Sequence, residues 1–110
     1  MHQKELLKGS TETLLLSLVA TEPMYGYQIA KEMAKRSSGY FRLKEGTLYP
    51  ALHRLERGGL VEGWWKETSS GQPRRYYHIT SKGLRVLGER LTEWQRFSRA
   101  VNSVMPAGAT

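Results

Sequence analysis

The residues with most to say about chemistry lie in one run, EGTLYPALHRLERGG, residues 45–59. Tyr49 and His53 are four apart and share a helical face, with Pro50, Arg54 and Arg57 beside them. These side chains are cationic, hydroxylated, or flat and apolar. Such a face suits phosphate oxygens, base edges and the thymine methyl in a DNA major groove. A second cationic pair, Arg74 and Arg75, adjoins the turn-forming residues SSGQ. At the tip of a hairpin it would reach the DNA backbone or minor groove. Neighbours in a strand point to opposite faces, so one arginine of the two is expected to touch DNA directly. The plainer readings are a solvated helix face and edge-strand charge that blocks aggregation.

Catalysis finds little support. His2, His53 and His78 are scattered without metal-ligand spacing. The chain has no aspartate, its ten acidic residues are dispersed glutamates, and it has no cysteine. Thiolate zinc sites and cysteine nucleophiles are therefore excluded. SSGQPRR lacks the spaced Gly-Lys-Ser/Thr of a phosphate loop. No enzyme, metal or cofactor is expected. The formal charge of +7 on 110 residues points to nucleic acid or another anionic surface, with solubility alone as the alternative. No apolar run approaches membrane-spanning length, and a soluble cytoplasmic protein is expected.

Several elements must position these residues. Ser10 or Thr11 is placed to cap a helix with Leu14, Leu15, Leu18 and Val19 as its apolar stripe. TEPMYG breaks it. A second helix follows in YGYQIAKEMAKRS, with Ile29, Ala30 and Met33 on one face. The third helix carries the quoted run. Leu48, Leu52 and Leu55 point inward, and Gly58-Gly59 end it. With Thr47 as its N-cap, Pro50 is the third helical residue, where a missing amide costs little. The period then changes to two in LVEGWWKE and RRYYHIT, a hairpin signature around TSSGQP. Thr80 or Ser81 caps a last long helix. The expected fold is mainly α (α+β): a winged helix-turn-helix with a two-stranded wing, residues 1–80. A C-terminal helix, 81–105, and a flexible tail, 106–110, complete the chain.

MYGYQIAKEM, EGTLYPALHRLERGGLV and GQPRRYYHIT followed by KG resemble the PadR family of bacterial transcriptional regulators. The resemblance runs from about Glu5 to Trp94, and the short C-terminus resembles the smaller class with a single C-terminal helix. It implies a homodimeric winged-helix repressor on a pseudo-palindromic operator of double-stranded DNA. By motif, Tyr25 and Tyr27 would lie near the DNA backbone. Thr47, Tyr49, Pro50 and His53 would sit on the reading helix, and Arg74 and Arg75 on the wing. His78 stands where the family often has a basic residue.

In the last helix, Leu84, Leu87, Leu91, Trp94, Ser98, Val101 and Met105 are spaced 3, 4, 3, 4, 3, 4. This is a heptad seam with one polar position, longer than a three-helix domain can cover. The expected partner is a second copy, which would set two reading helices about 34 Å apart for a palindrome. Packing onto the first helix of the same chain is the alternative for its first turns. Some members of the smaller class hold flat aromatic molecules between a pair of tryptophans. By that resemblance Trp94, with Phe97, Leu6 and Gly9, would line a cavity for a planar aromatic effector. The rival functions are a non-specific or architectural nucleic-acid-binding protein and a winged-helix module for protein contacts.

Overall fold

The computed structural model describes residues 10–105, which form four helices and one three-stranded sheet. Leu6, Gly9 and the tail 106–110 lie outside the described residues. In chain order the elements are α1 (Thr11–Thr21), β1 (Met24–Tyr25), α2 (Gly26–Arg36), α3 (Glu45–Arg57), β2 (Val61–Glu67), β3 (Pro73–Ile79) and α4 (Ser81–Val104).

Helix α1 is the centre of the core. It touches α2, α3, β3 and α4, which is why Leu16 is buried along with Leu15, Leu18 and Val19, while Leu14 is only half-buried. A helix packed on several sides needs more than one apolar stripe. Around it close Ile29 and Met33 of α2, Leu48, Ala51, Leu52 and Leu55 of α3, and Met24, Val61 and Tyr77 of the sheet.

The sheet differs from the expected two-stranded wing. Its antiparallel order is β1-β3-β2, and the added strand pairs Met24 with Tyr77 and Tyr25 with Tyr76. Two residues carry no readable alternation, so only their partner strand reveals them. The hairpin β2–β3 pairs Val61 with Ile79 at its base and Glu67 with Pro73 at its outer end. Its turn closes with the Gly71 amide donating to the Thr68 carbonyl at 2.9 Å, and Gly71 has φ +84°.

Helix α3 also starts earlier than expected. Its N-cap is Lys44, whose carbonyl accepts from the Thr47 and Leu48 amides at 2.9 Å each. Thr47 is therefore not the cap, and Pro50 falls sixth in the helix, not third. The bond Pro50 cannot donate would have gone to the Gly46 carbonyl. Gly46 is exposed, so water is at hand for that carbonyl, and the loss is confined to the edge of the first turns. The other end is a Schellman cap: the Leu60 amide donates to Leu55 and the Gly59 amide to Glu56, with Gly59 at φ +74°.

That cap is also where α4 begins. The Thr80 amide donates to the Leu60 carbonyl at 3.0 Å. The Thr80 hydroxyl donates to the Gly59 carbonyl at 2.6 Å and accepts from the Gly83 amide at 3.0 Å. Lys82 Nζ donates to the Gly58 carbonyl at 2.9 Å. Gly83 lies so close to the Leu60 carbonyl that a Cβ there would collide with it. The end of α3 and the start of α4 thus share one set of hydrogen bonds.

Candidate nucleic-acid interface

Helix α3 buries Leu48, Leu52 and Leu55 and turns Thr47, Tyr49, Pro50, His53, Arg54 and Arg57 outward. The Tyr49 ring lies on the backbone of Gly26, and a side chain at that position would collide with it. This close approach sets the first turns of α3 against the start of α2. Across from them stands the hairpin. Together the three elements bound a cleft lined by Tyr25, Gly26, Tyr27, Tyr49, His53, Trp65, Arg74, Arg75 and Tyr77.

Six residues singled out from the sequence meet there: Tyr25, Tyr27, Tyr49, His53, Arg74 and Arg75. Thr47, Pro50 and Arg54 are exposed on the same helix but do not line the cleft. Arg54 Nε lies 3.7 Å from the Glu12 carboxylate of α1. The two arginines diverge, as strand alternation requires. The Arg74 guanidinium sits 4.4 Å from the Tyr25 ring centroid, within cation–π range. Arg75 turns to the helix side, where its Nη2 donates to Glu56 Oε2 at 2.6 Å.

Gly26, Trp65 and Tyr77 are cleft residues that the sequence reading missed, and Trp65 is the one that presents a large side chain to solvent. It is 65% exposed, and Arg75 lies 5.6 Å from its ring centroid. The available signal was the adjacent pair Trp64-Trp65, since neighbours in a strand cannot both face away from α3. Trp64 takes the outer face, 6.0 Å from Tyr76 and 5.0 Å from His78. His78 there pairs with Glu62 at 3.0 Å, away from the cleft. At the cleft floor, burial pushes the Tyr77 phenol above its ordinary 10.0, against a lowering by the nearby Arg75. Tyr77 therefore stays neutral at neutral pH. Cations, hydroxyls and an exposed indole around an open cleft can hold a phosphodiester strand and the sugars attached to it.

The seam on α4 divides in two. Leu87 is 7% exposed and belongs to the core of its own chain, as do its half-buried neighbours Val86 and Ile79 at the margin. Leu87 is thus an intrachain residue, not a free seam position. Leu84, Leu91, Trp94 and Met105 are exposed and Val101 is half-buried. The rings of Trp94 and Phe97 lie 5.8 Å apart, both exposed. Among the described residues no cluster of three or more metal-ligating side chains forms, and no helix is long and apolar enough to cross a membrane.

Known proteins share this fold. A PadR-like transcriptional regulator of Bacillus cereus is 37% identical, with a TM-score of 0.82 over 94% of this chain and 98% of that one. A PadR family transcription regulator of Clostridium difficile is 35% identical, with a TM-score of 0.77 over 88% and 99%. A transcriptional regulator of Mycobacterium tuberculosis is 29% identical over 98 residues, 89% of this chain and 88% of that one. Residues 15–89 match the model of the transcriptional regulator PadR-like family. The match spans α3, the hairpin and the cleft between them, and with it this chain belongs to the PadR-like family of DNA-binding transcription regulators, which are not enzymes.

Proposed function

We propose that this regulator is a sequence-specific repressor that binds a pseudo-palindromic operator as a homodimer and is released by a flat aromatic effector. The observation that carries the DNA contact is the outward face of α3 meeting the hairpin across an open cationic cleft. Thr47, Tyr49, Pro50, His53 and Arg54 read the major groove. Tyr25 and Tyr27 hold the backbone beside them, and Arg74 engages phosphate from the wing. The exposed apolar residues of α4 support the second copy, since contiguous apolar surface of this kind marks association.

Binding is expected to be steeply salt-dependent. Six to ten phosphate contacts imply a loss of roughly 10³–10⁵ in affinity between 50 and 200 mM salt. His53→Ala or Arg54→Ala relaxes preference at one or two base positions, at about 1–3 kcal/mol each. Binding-site selection on the mutants reads this directly. An unchanged preference profile for both would refute the reading face, and complete competition by unrelated DNA would favour an architectural role.

Trp94 supports the effector. Stacking on an aromatic face contributes about 0.5–1.5 kcal/mol beyond area burial, so paired tryptophans hold a flat ligand with few polar contacts. Release requires that the ligand favour the arrangement of reading heads that does not fit DNA. With Trp64→Phe and Trp65→Phe as background a planar dye quenches Trp94, and in the otherwise native chain the same concentrations release the operator. In the otherwise native chain, Trp94→Ala ends the release and spares operator binding without dye. If a broad panel of planar compounds neither quenches nor releases, Trp94 only packs.

A further inference from the structure

We propose that Glu56 and Arg75 are positioning residues for DNA binding: together they hold the wing at its working angle to α3, and Arg75 does not contact phosphate. The inference rests on the wing-and-helix reading above and divides the labour of two adjacent arginines within it.

Arg75 occupies a built slot. Its guanidinium crosses Gly63 on the neighbouring strand, where an added Cβ would stand 2.8 Å from it. The rings of Trp65 and Tyr77 lie 5.6 and 5.9 Å away. The bond to Glu56, at 2.6 Å, is as short as charge-assisted hydrogen bonds become. The two ends are about a third exposed, so water screens the pair only in part. Three elements are tied at one point: α3 through Glu56, β2 through Gly63 and β3 through Arg75.

The location explains the need. At its base the hairpin is fixed by Val61 and Tyr77 in the core. Its outer residues, Trp64 to Glu67 and Ser69 to Pro73, are exposed. Among the described residues, Glu56–Arg75 is the one side-chain hydrogen bond that joins α3 to either strand of the hairpin. A ribbon held only at its base would swing over a range of angles, and each phosphate contact would then carry the cost of fixing it. Arg74 is placed differently. It faces Tyr25 and forms no ion pair among the described residues, so its charge remains available for phosphate. Glu56 is itself about a third exposed beside Arg75, and a carboxylate this near a bound polyanion repels phosphate unless a cation holds it.

That repulsion supplies the test, because two roles for Arg75 predict opposite signs for Glu56. If Arg75 contacts phosphate, Glu56 merely competes for it, and Glu56→Ala tightens operator binding. If the pair is a clamp, Glu56→Ala weakens binding by roughly three- to tenfold, the size of a partly screened charged hydrogen bond. Operator affinity is measured against salt for the full chain and for Glu56→Ala, Arg75→Ala, the double mutant and Arg74→Ala. Circular dichroism confirms the fold of each, and Glu56→Gln and Arg75→Lys replace any variant that fails. The clamp predicts that Glu56→Ala and Arg75→Ala leave the slope of log affinity against log salt unchanged, and that the double mutant is no weaker than either. Arg74→Ala lowers the slope by about 0.9, one phosphate. Tighter binding by Glu56→Ala, or a slope lost with Arg75→Ala, overturns the clamp. An Arg74→Ala protein with native slope and affinity would instead remove the wing's phosphate contact from the wider reading, and the Glu56–Arg75 cycle would still decide the clamp by its sign and non-additivity.

Discussion

Leu91→Asp is expected to give a folded chain that sediments as a monomer and has lost tight operator binding. Leu91 is 39% exposed, beyond the stretch of α4 that packs onto its own chain, with exposed Trp94 one turn further on. A carboxylate is unremarkable there in a monomer. At the centre of an apolar interface it is costly, because an unpaired charge would leave water. Circular dichroism should therefore stay near native while the sedimentation coefficient falls, and Tm should drop only by what association contributes. The effect on DNA is larger than on any single contact. Two linked reading heads gain roughly 10²–10⁴ in avidity over one, and that factor disappears with the dimer. Leu87 is the wrong place for this experiment despite its seam register, since a charge there would unfold the chain's own core. A Leu91→Asp protein that remains dimeric and binds normally would mean that α4 does not pair the reading heads.

Gly83→Ala should unfold the protein at markedly lower temperature. A methyl group at this position meets the Leu60 carbonyl oxygen, and Ile79 Cγ1 stands 2.7 Å from it. A flexible side chain could step aside, but the carbonyl belongs to the cap of α3 and is already an acceptor for the Thr80 amide. Overpacking of this kind costs about 1–3 kcal/mol, and each kcal/mol lowers Tm by roughly 4–8 °C in a domain of this size. Gly88→Ala is the internal control. It lies in the same helix with open space around it, so alanine there should stabilise by about 0.5–1 kcal/mol. Equal and opposite outcomes would not be needed; a Gly83→Ala protein as stable as Gly88→Ala is enough to show that α4 is not seated on the cap.

Much of the architecture was legible in local pattern. Leu48, Leu52 and Leu55 repeat at helical spacing, and Gly58-Gly59 ends that helix as a Schellman cap should. The hairpin announced itself by a change of period around a turn-forming run. What stayed hidden depends on partners far away in the chain. The strand Met24–Tyr25 is too short to show alternation and exists through its pairing with β3. The start of α3 was misplaced because Lys44, not Thr47, supplies the first accepting carbonyl, and lysine is not a residue type that signals a cap. The heptad on α4 marks one continuous stripe, whereas tertiary packing divides it at Leu87. The partner of Arg75 sits on another element, and no periodicity links the two. The pair Trp64-Trp65 gave a usable hint of opposite faces, but only the position of α3 decides which indole enters the cleft.

The shared cap between α3 and α4 bears on how such regulators can be recombined. A designer wishing to give one regulator the operator preference of another would exchange the DNA-facing helix and keep the C-terminal helix. In this chain the natural-looking cut at residue 80 severs a working joint. Thr80 and Lys82 on one side donate to the carbonyls of Gly58, Gly59 and Leu60 on the other, and Gly83 leaves room for the Leu60 carbonyl. A graft that carries the helix without its receiving turn brings a foreign carbonyl geometry against Gly83 and loses the hydroxyl bridge. The portable unit runs from the reading helix through the hairpin to the first turn of the last helix, and chimaeras joined after Gly83 should keep the fold and the joint between the two helices.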